Sequence, residues 1–241
     1  MAMTPSQKYD GWHPPGSNDT PDRVSPFSPI SGQFYTSEPQ LEAIDMDISI
    51  IGAGNVGSAL ADGFTAAGHS VVLGSRNPDT GAHDGVRITT QREAAEQGGV
   101  VVLALPASVV ADVAADLHDA LAGKPVIDAS NEYPTATSQR SVAARVADAA
   151  PDARVVKAFN TIGANRMTDP VIDGECATMF LAGDDEDALE TVASLADDLG
   201  FEPLVAGDLS AANHLEHLAR FWIHLGREHG RDIAFRLLQQ R

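Results

Sequence analysis

From residue 46 onward, short apolar runs alternate with longer segments whose apolar residues recur at helical spacing. The apolar runs predict strands at 46–51, 70–74, 86–89, 100–105, 125–128, 154–158, 177–182 and 202–205. The segments between them predict helices near 55–67, 91–97, 107–121, 138–149 and 185–199. Alternation of this kind is typical of a parallel sheet with helices on its faces. We therefore predict an α/β fold with a doubly wound, mostly parallel sheet of Rossmann type.

The two ends of the chain differ from this pattern. After residue 208 a long helix is predicted, with Leu215 and Trp222 on its apolar face, and "RDIAFRLL" predicts a second short helix. Residues 1–45 contain seven of the fourteen prolines, so we expect an irregular extension there. Its aromatic residues favour docking on the body or on a neighbouring subunit, and its composition is equally compatible with a disordered tail.

Length and composition narrow the class of protein. With 241 residues, 43% of them hydrophobic, the chain can bury a full core. The single cysteine, Cys176, has no partner for an intramolecular disulfide, and no secretory leader is recognisable. No apolar run approaches the roughly 18 residues that a bilayer span requires. We expect a cytoplasmic protein without membrane partners.

The net charge of the chain argues against further classes of partner. The chain carries 34 acidic and 16 basic residues, for a formal charge of -18. A field of this sign repels phosphate backbones and anionic lipids, which argues against nucleic acid as a partner. Abundant aspartate with only three lysines resembles the proteins of halophilic archaea, and an ordinary acidic bacterial protein is the alternative.

A glycine-rich turn follows the first predicted strand. In "ISIIGAGNVGSAL", Gly52, Gly54 and Gly57 satisfy the G-x-G-x-x-G pattern of dinucleotide sites. The first glycine permits a sharp turn, the second admits a pyrophosphate and the third allows close packing of helix on strand. The amides of Asn55 and Val56, at the positive end of the helix, are the predicted phosphate ligands.

The end of the second predicted strand indicates which dinucleotide binds. NAD sites carry Asp or Glu there, whose carboxylate binds the ribose hydroxyls. This chain has Ser75, Arg76 and Asn77 instead, a set that can bind a 2′-phosphate through a guanidinium, a hydroxyl and an amide. NADP(H) is the predicted cofactor. Leu105 and Pro106, at the end of the fourth strand, are predicted to contact it or to start the next helix.

Four histidines lie in the C-terminal helical region: His214, His217, His224 and His229. Because no carboxylate or cysteine has a matching ligand spacing, we interpret them as a polar helix flank and predict no metal. No catalytic residue is predicted.

Several segments together resemble a known family. These are "ISIIGAGNVGSAL", "VVLGSRNP", "VVLALP", "VVKAFNTIGA", "MFLAGDDEDA" and "FEPLVAGDLSAANHLEHL". In this order over residues 46–241 they resemble the NADPH-dependent coenzyme F420 reductases. The resemblance implies a Rossmann domain for NADP, here 46–170, and a smaller C-terminal part, 171–241, that closes the cleft. It also implies direct hydride transfer between the nicotinamide and coenzyme F420, and a homodimer, for which we expect contact through the Trp222 helix.

The resemblance further implies residues of the deazaflavin site, the second substrate of such enzymes. They come from "FNTIGA" and from the loop before the long helix: Asn160, Thr161, Ile162, Gly163, Ala164, Gly207, Leu209, Ser210 and His214. We expect the small Gly163 and Ala164 to leave room for a flat ring. Asp208 departs from the family, whose members often have proline in this loop.

Two other functions remain open at this point. One is an NADPH-dependent reductase of a different acceptor, such as a flavin, an imine or ferric iron. The other is a sensor that binds NADP without turning it over.

Overall fold

A computed structural model describes residues 45–80, 83–134 and 140–240, which all lie in one compact unit. The predicted extension falls outside these residues except for Asp45. The first two residues of the helix predicted at 138–149 also fall outside them.

Eight strands form the main sheet of the described chain. They are β1 (Asp47–Ile51), β2 (Ser70–Ser75), β3 (Arg87–Thr90), β4 (Val100–Leu103), β5 (Pro125–Asp128), β6 (Arg154–Lys157), β9 (Thr178–Gly183) and β10 (Glu202–Gly207). Each coincides closely with a predicted strand. Between β6 and β9 a two-stranded hairpin, β7 (Val171–Ile172) with β8 (Glu175–Cys176), adds a small antiparallel sheet that the sequence pattern did not predict.

The strand order confirms the predicted α/β fold. Across the main sheet it is β3-β2-β1-β4-β5-β6-β9-β10, and the pairs from β3 to β6 are all parallel. β9 pairs antiparallel with β6, and β10 runs parallel to β9. The chain leaves β1 toward β2 on one side and returns to β4 on the other. In such sheets ligands bind at this switch point, outside the carboxyl ends of the strands.

Seven helices accompany the sheet in the described residues. They are α1 (Asn55–Ala66), α2 (Gln91–Gln97), α3 (Val110–Asp116), α4 (His118–Leu121), α5 (Val142–Ala149), α6 (Glu186–Asp198) and α7 (Ala212–His229). Buried residues of α1 and α6 share one core cluster with the sheet, and those of α3, α5 and α7 share a second. The helices therefore cover both faces of the sheet.

Local sequence explains several helix ends. Asp185 accepts a hydrogen bond from the Ala188 amide at 2.8 Å and caps α6. Thr90 and Glu93 form a reciprocal capping box at α2. The hydrogen bonds that Thr89 and Thr90 donate to Glu93 hold the pKa of its carboxyl below the usual range.

The prediction of a helix in "RDIAFRLL" was wrong. α7 ends at His229, before Gly230, whose φ is +86°, and residues 232–240 form neither a helix nor a strand. The Phe235 carbonyl accepts from the Thr178 amide at 2.9 Å, and the Leu237 amide donates to Thr178 Oγ1 at 3.0 Å. Because an isolated eight-residue helix is marginal in water, bonds to the start of β9 replace the internal bonds of a helix.

The single helix predicted at 107–121 is also different in the structure. The Pro106 carbonyl accepts from the amides of Val109 and Val110, which makes a turn before α3 begins. The helix is then interrupted at Leu117, which separates α3 from α4.

The side chain of Trp222, expected at a dimer contact, packs inside its own chain. It is 4% exposed, and its indole N–H donates to the Ile233 carbonyl at 2.9 Å. The homodimer itself stays a prediction, as does the division at residue 170. No helix in the described ranges has both the length and the hydrophobicity needed to cross a membrane.

Candidate functional site

The turn after β1 shows which of its glycines serve the fold. Gly52 has φ +118°, and a Cβ there would lie 2.4 Å from the Ala104 carbonyl oxygen. A Cβ on Gly57 would lie 1.9 Å from the Gly52 carbonyl oxygen. Both positions therefore require glycine for packing of the turn against β4 and α1. A Cβ on Gly54 would meet no described atom within 4 Å, so the open space there is available to a ligand.

The first turn of α1 faces this open space. Ala53, Gly54 and Asn55 are exposed, and Val56 is half-buried. Among the described residues no side chain caps the helix, and its first turn contains no acidic residue. The amides of Asn55 and Val56 thus stand at the positive end of a twelve-residue helix, an arrangement suited to a phosphate.

The end of β2 lies beside this turn. Ile51 of β1 pairs with Gly74, and the strand ends at Ser75. The Ser75 hydroxyl accepts a hydrogen bond from the Asn77 amide at 3.1 Å, which leaves the hydroxyl proton available to donate. Arg76 is exposed and forms no ion pair with any described residue. A cation and a hydroxyl are therefore available at this corner for an anion.

Leu105 and Pro106 complete the same edge. Ile51 pairs with Leu103 of β4, and the Ala104 amide donates to the Ile51 carbonyl. Leu105 is half-buried against Gly52, and Pro106 is exposed. The structure therefore brings the predicted cofactor residues together around the carboxyl ends of β1, β2 and β4.

Asn160 is held in a buried network at the end of β6. Its Nδ2 donates to Asn131 Oδ1 at 3.0 Å and to the Leu215 carbonyl at 3.2 Å, and Asn131 Nδ2 donates back to the Asn160 carbonyl at 2.7 Å. These bonds join the ends of β5 and β6 to α7. Asn131, which the sequence reasoning missed, is thereby placed at the same edge of the sheet.

The rest of "FNTIGA" is packed against the body. Thr161 and Gly163 are buried, Ile162 is half-buried, and Ala164 begins a short 3₁₀ turn. A Cβ on Gly163 would lie 2.7 Å from the Trp222 ring. The expectation that Gly163 leaves room for a flat ligand ring was wrong, because the indole of α7 occupies that side.

The loop before α7 begins level with the last residue of β6. Ala182 of β9 pairs with both Lys157 and Gly207, and the Leu209 amide donates to Asp184 Oδ1 at 2.9 Å, beyond the last residue of β9. Because β9 is antiparallel to β6, this point is level with the first half of β6. The role of Gly207, Leu209 and Ser210 in substrate binding stays a prediction.

Asp208, the departure from the family pattern, is directed at its own loop. Its carboxylate accepts from the amide and the hydroxyl of Ser210. His214 lies exposed in the first turn of α7. Within the described residues, no group of three or more His, Cys, Asp or Glu is placed to hold a metal ion.

A buried ionic cluster lies beside the Asn131–Asn160 pair. Lys157 Nζ, at the end of β6, is 2.9 Å from Asp128 Oδ2 at the end of β5 and 3.1 Å from Glu216 Oε1 on α7. Nζ also donates to the Ser130 carbonyl, and Glu216 accepts from the Val142 amide at 2.7 Å. The positive end of α5 thus helps to neutralise the second carboxylate.

The sequence did not predict this cluster. Lys157 and Asp128 each close an apolar predicted strand, and a charge in that position on adjacent strands was the available signal. Glu216 gave no such signal, because it lies on a helix with many polar residues. The cluster fastens α5 and α7 to the carboxyl edge of the sheet.

Comparison with known proteins agrees with this geometry. The family model described as "NADP oxidoreductase coenzyme F420-dependent" matches residues 47–132. F420-dependent NADP reductase of Methanothermobacter thermautotrophicus is 28% identical, over 82% of this chain and 97% of that protein. Metalloreductase STEAP3 of Rattus norvegicus is 34% identical over 78% of this chain, and the chain spans only 40% of that protein's length.

Solved structures give the same result. A candidate F420-dependent NADP reductase from Arthrobacter sp. FB24 has a TM-score of 0.74 at 28% identity, over 80% of this chain and all of that one. A hypothetical protein from Sinorhizobium meliloti has a TM-score of 0.61 at 35% identity, over 69% of this chain and 88% of that one. Residues 47–132 thus match the family of coenzyme F420-dependent NADP oxidoreductases, and the fold is similar to that of a candidate F420-dependent NADP reductase.

Proposed function

We propose that this protein is an oxidoreductase that transfers a hydride between NADP(H) and the deazaflavin coenzyme F420. One observation carries the proposal. The open space over Gly54, the uncapped first turn of α1 and Arg76, which forms no ion pair with any described residue, lie together at the switch point of the sheet. This arrangement fits a dinucleotide with a phosphate on its ribose.

The pyrophosphate and the 2′-phosphate of NADP bind to different residues. The amides of Asn55 and Val56 bind the pyrophosphate, which approaches over Gly54. Arg76 binds the 2′-phosphate through its guanidinium, and the Ser75 hydroxyl donates beside it. The Asn77 side chain is the third predicted ligand. A carboxylate at the position of Ser75 would repel the 2′-phosphate, so the same residues that favour NADP disfavour an NAD-type site.

From there the cofactor extends over the end of β4, past Leu105 and Pro106, toward Asn131 and Asn160. The bound cofactors supply the hydride chemistry, and the residues of this chain bind, orient and exclude water. The ionic cluster of Asp128, Lys157 and Glu216 holds this edge rigid because it ties two strands and two helices together.

Coenzyme F420 is the proposed acceptor because the F420-dependent reductases match this chain over almost their whole length. Reduction of a metal ion is the second candidate, supported by the 34% identity to a metalloreductase. The proposed second-substrate residues are those implied by the family resemblance, with Asn160 best placed at the carboxyl edge.

The test is direct. Purified protein is mixed with NADPH and oxidised coenzyme F420, and the visible absorbance of the deazaflavin is followed. Bleaching at the rate of NADPH oxidation supports the proposal. If NADPH binds but only a ferric chelate is reduced, the metalloreductase function replaces it. If NADPH binds and no acceptor is reduced, the protein is a sensor.

A further inference from the structure

The arginines of α7 and of the segment directly after it differ from most others in the described chain. Six described arginines form ion pairs with Asp or Glu: Arg92, Arg140, Arg145, Arg154, Arg166 and Arg236. Arg220, Arg227 and Arg231 form none with any described residue. In a chain with a net charge of -18, where carboxylates are abundant, three such neighbouring cations are unexpected.

Aromatic rings hold two of these guanidinium groups. Arg227 Cζ lies 5.2 Å from the centre of the Tyr133 ring, and Arg231 Cζ lies 5.8 Å from that of Trp222. A guanidinium that stacks on a ring uses its face and leaves its in-plane N–H donors available. A carboxylate partner would occupy those same donors. These arginines are thus oriented by the protein while their hydrogen-bonding edge is open to an external anion.

Tyr133 places the contact with Arg227 near the carboxyl edge of the sheet, where the candidate site lies. It lies five residues after the end of β5 and two after Asn131, whose side chain is bonded to Asn160. The tyrosine is 39% exposed, and Arg227 is exposed beside it. Arg220 is seven residues before Arg227, so both lie on the same side of α7, about 10 Å apart along its axis.

We propose that Tyr133 and Arg227, with Arg220 further along α7, form the binding site for the anionic tail of the hydride acceptor. The anion, a phosphate or a carboxylate, accepts hydrogen bonds from the in-plane donors of Arg227. The acceptor is therefore a ring compound with a negatively charged tail, and its neutral analogue binds more weakly. This inference rests on the proposed function for the identity of the reaction, but anion recognition can be measured separately from catalysis.

The experiment measures binding by quenching of ligand fluorescence, with NADP⁺ present and no turnover. The probes are riboflavin, FMN, a flavin whose side chain ends in a carboxylate, and 8-hydroxy-5-deazaflavins with and without the anionic tail. The probes form two series, flavins and deazaflavins. Within the series that the protein binds, we expect the ligand with the anionic tail to have a dissociation constant about tenfold lower than the ligand without it. FMN against the carboxylate flavin identifies which anion is preferred.

Single substitutions test which residues cause the preference for the anionic ligand. Arg227→Gln is expected to remove most of the preference for the anionic member and to leave the dissociation constant of the neutral member within about twofold. Tyr133→Phe retains the ring and should retain the preference, whereas Tyr133→Ala should weaken it. Arg92→Gln is the matched control, because it removes the same charge from an arginine that pairs with Asp119.

Two results would overturn the inference. One is equal affinity for the neutral and anionic members in the unaltered protein. The other is an unchanged preference in Arg227→Gln, which would show that Arg227 only tethers α7 to the loop; a lower Tm with unchanged preference belongs to this outcome. Failure of the proposed function is distinct, since it would be seen as absent deazaflavin bleaching in an enzyme that still prefers anionic rings.

Discussion

Lys157 and Asp128 form an ion pair of 2.9 Å between the ends of adjacent parallel strands, with both side chains completely buried. Glu216 is the second carboxylate of the lysine and connects it to α7. Burial removes the water that would otherwise solvate these charges, so each depends on its partners. The pair therefore makes the position of α7 sensitive to single substitutions at the sheet edge.

Lys157→Met tests that dependence. The variant leaves two carboxylates buried near each other without their cation, and we expect the free energy of unfolding to fall by about 3–5 kcal/mol. Urea titration followed by circular dichroism measures the change. Lys124→Met is the control, because Lys124 is only half-buried and donates to backbone carbonyls. A loss below about 1 kcal/mol for Lys157→Met would contradict this account.

Arg76 is predicted to select the cofactor. Arg76→Gln should raise KM for NADPH by about tenfold or more, with KM for NADH changed less than about twofold, because NADH lacks the 2′-phosphate. Steady-state kinetics with both cofactors, or calorimetry with NADP⁺ and NAD⁺, measures how differently the substitution affects the two cofactors. Arg92→Gln should change neither value. Equal effects on the two cofactors would refute the assignment.

Gly54 and Gly57 should respond differently to the same substitution. Gly57→Ala puts a Cβ 1.9 Å from the Gly52 carbonyl oxygen, so we expect clear destabilisation. Gly54→Ala meets no described atom, so it should cost less than about 1 kcal/mol in the free protein. It should nevertheless weaken NADP⁺ binding, because the methyl group enters the proposed pyrophosphate space. Thermal unfolding with and without NADP⁺ separates the two effects.

Glu93 is predicted to contribute to the acid sensitivity of the fold. Its pKa is lowered in the folded chain from an ordinary value of 4.5, chiefly by the hydrogen bond from Thr89. A depressed folded-state pKa stabilises the fold above the unfolded-state value, and this contribution is lost as pH falls through the folded-state value. Glu93→Gln should therefore flatten the dependence of unfolding free energy on pH below about 5.

The control for that experiment is Glu190→Gln, which removes an exposed carboxylate of α6 outside any capping box. Urea titrations at several pH values compare the three proteins. If Glu93→Gln and Glu190→Gln give the same pH profile, the capping box is not the source of the effect.

The sequence was most informative where structure depends on neighbours along the chain. The strands β1, β4, β5 and β6 were predicted because each is a largely buried apolar run next to a helical segment. The turn after β1 was predicted because glycine at Gly57 is required by a contact with the Gly52 carbonyl, within one strand–turn–helix unit. Predictions failed for "RDIAFRLL" and for the space beside Gly163, since both depend on distant residues, Thr178 and Trp222.

By itself, the sequence determined the doubly wound sheet, the glycine turn and the cation at the end of β2, because hydrophobic period, glycine and charge act locally. Only the tertiary structure decided that Lys157 meets Asp128 and Glu216, and that Arg227 lies over Tyr133. Those contacts join segments far apart in sequence, and they form only when the helices pack on the sheet. A buried charge or a stacked guanidinium is specified by its surroundings in space, which no local pattern of residues records.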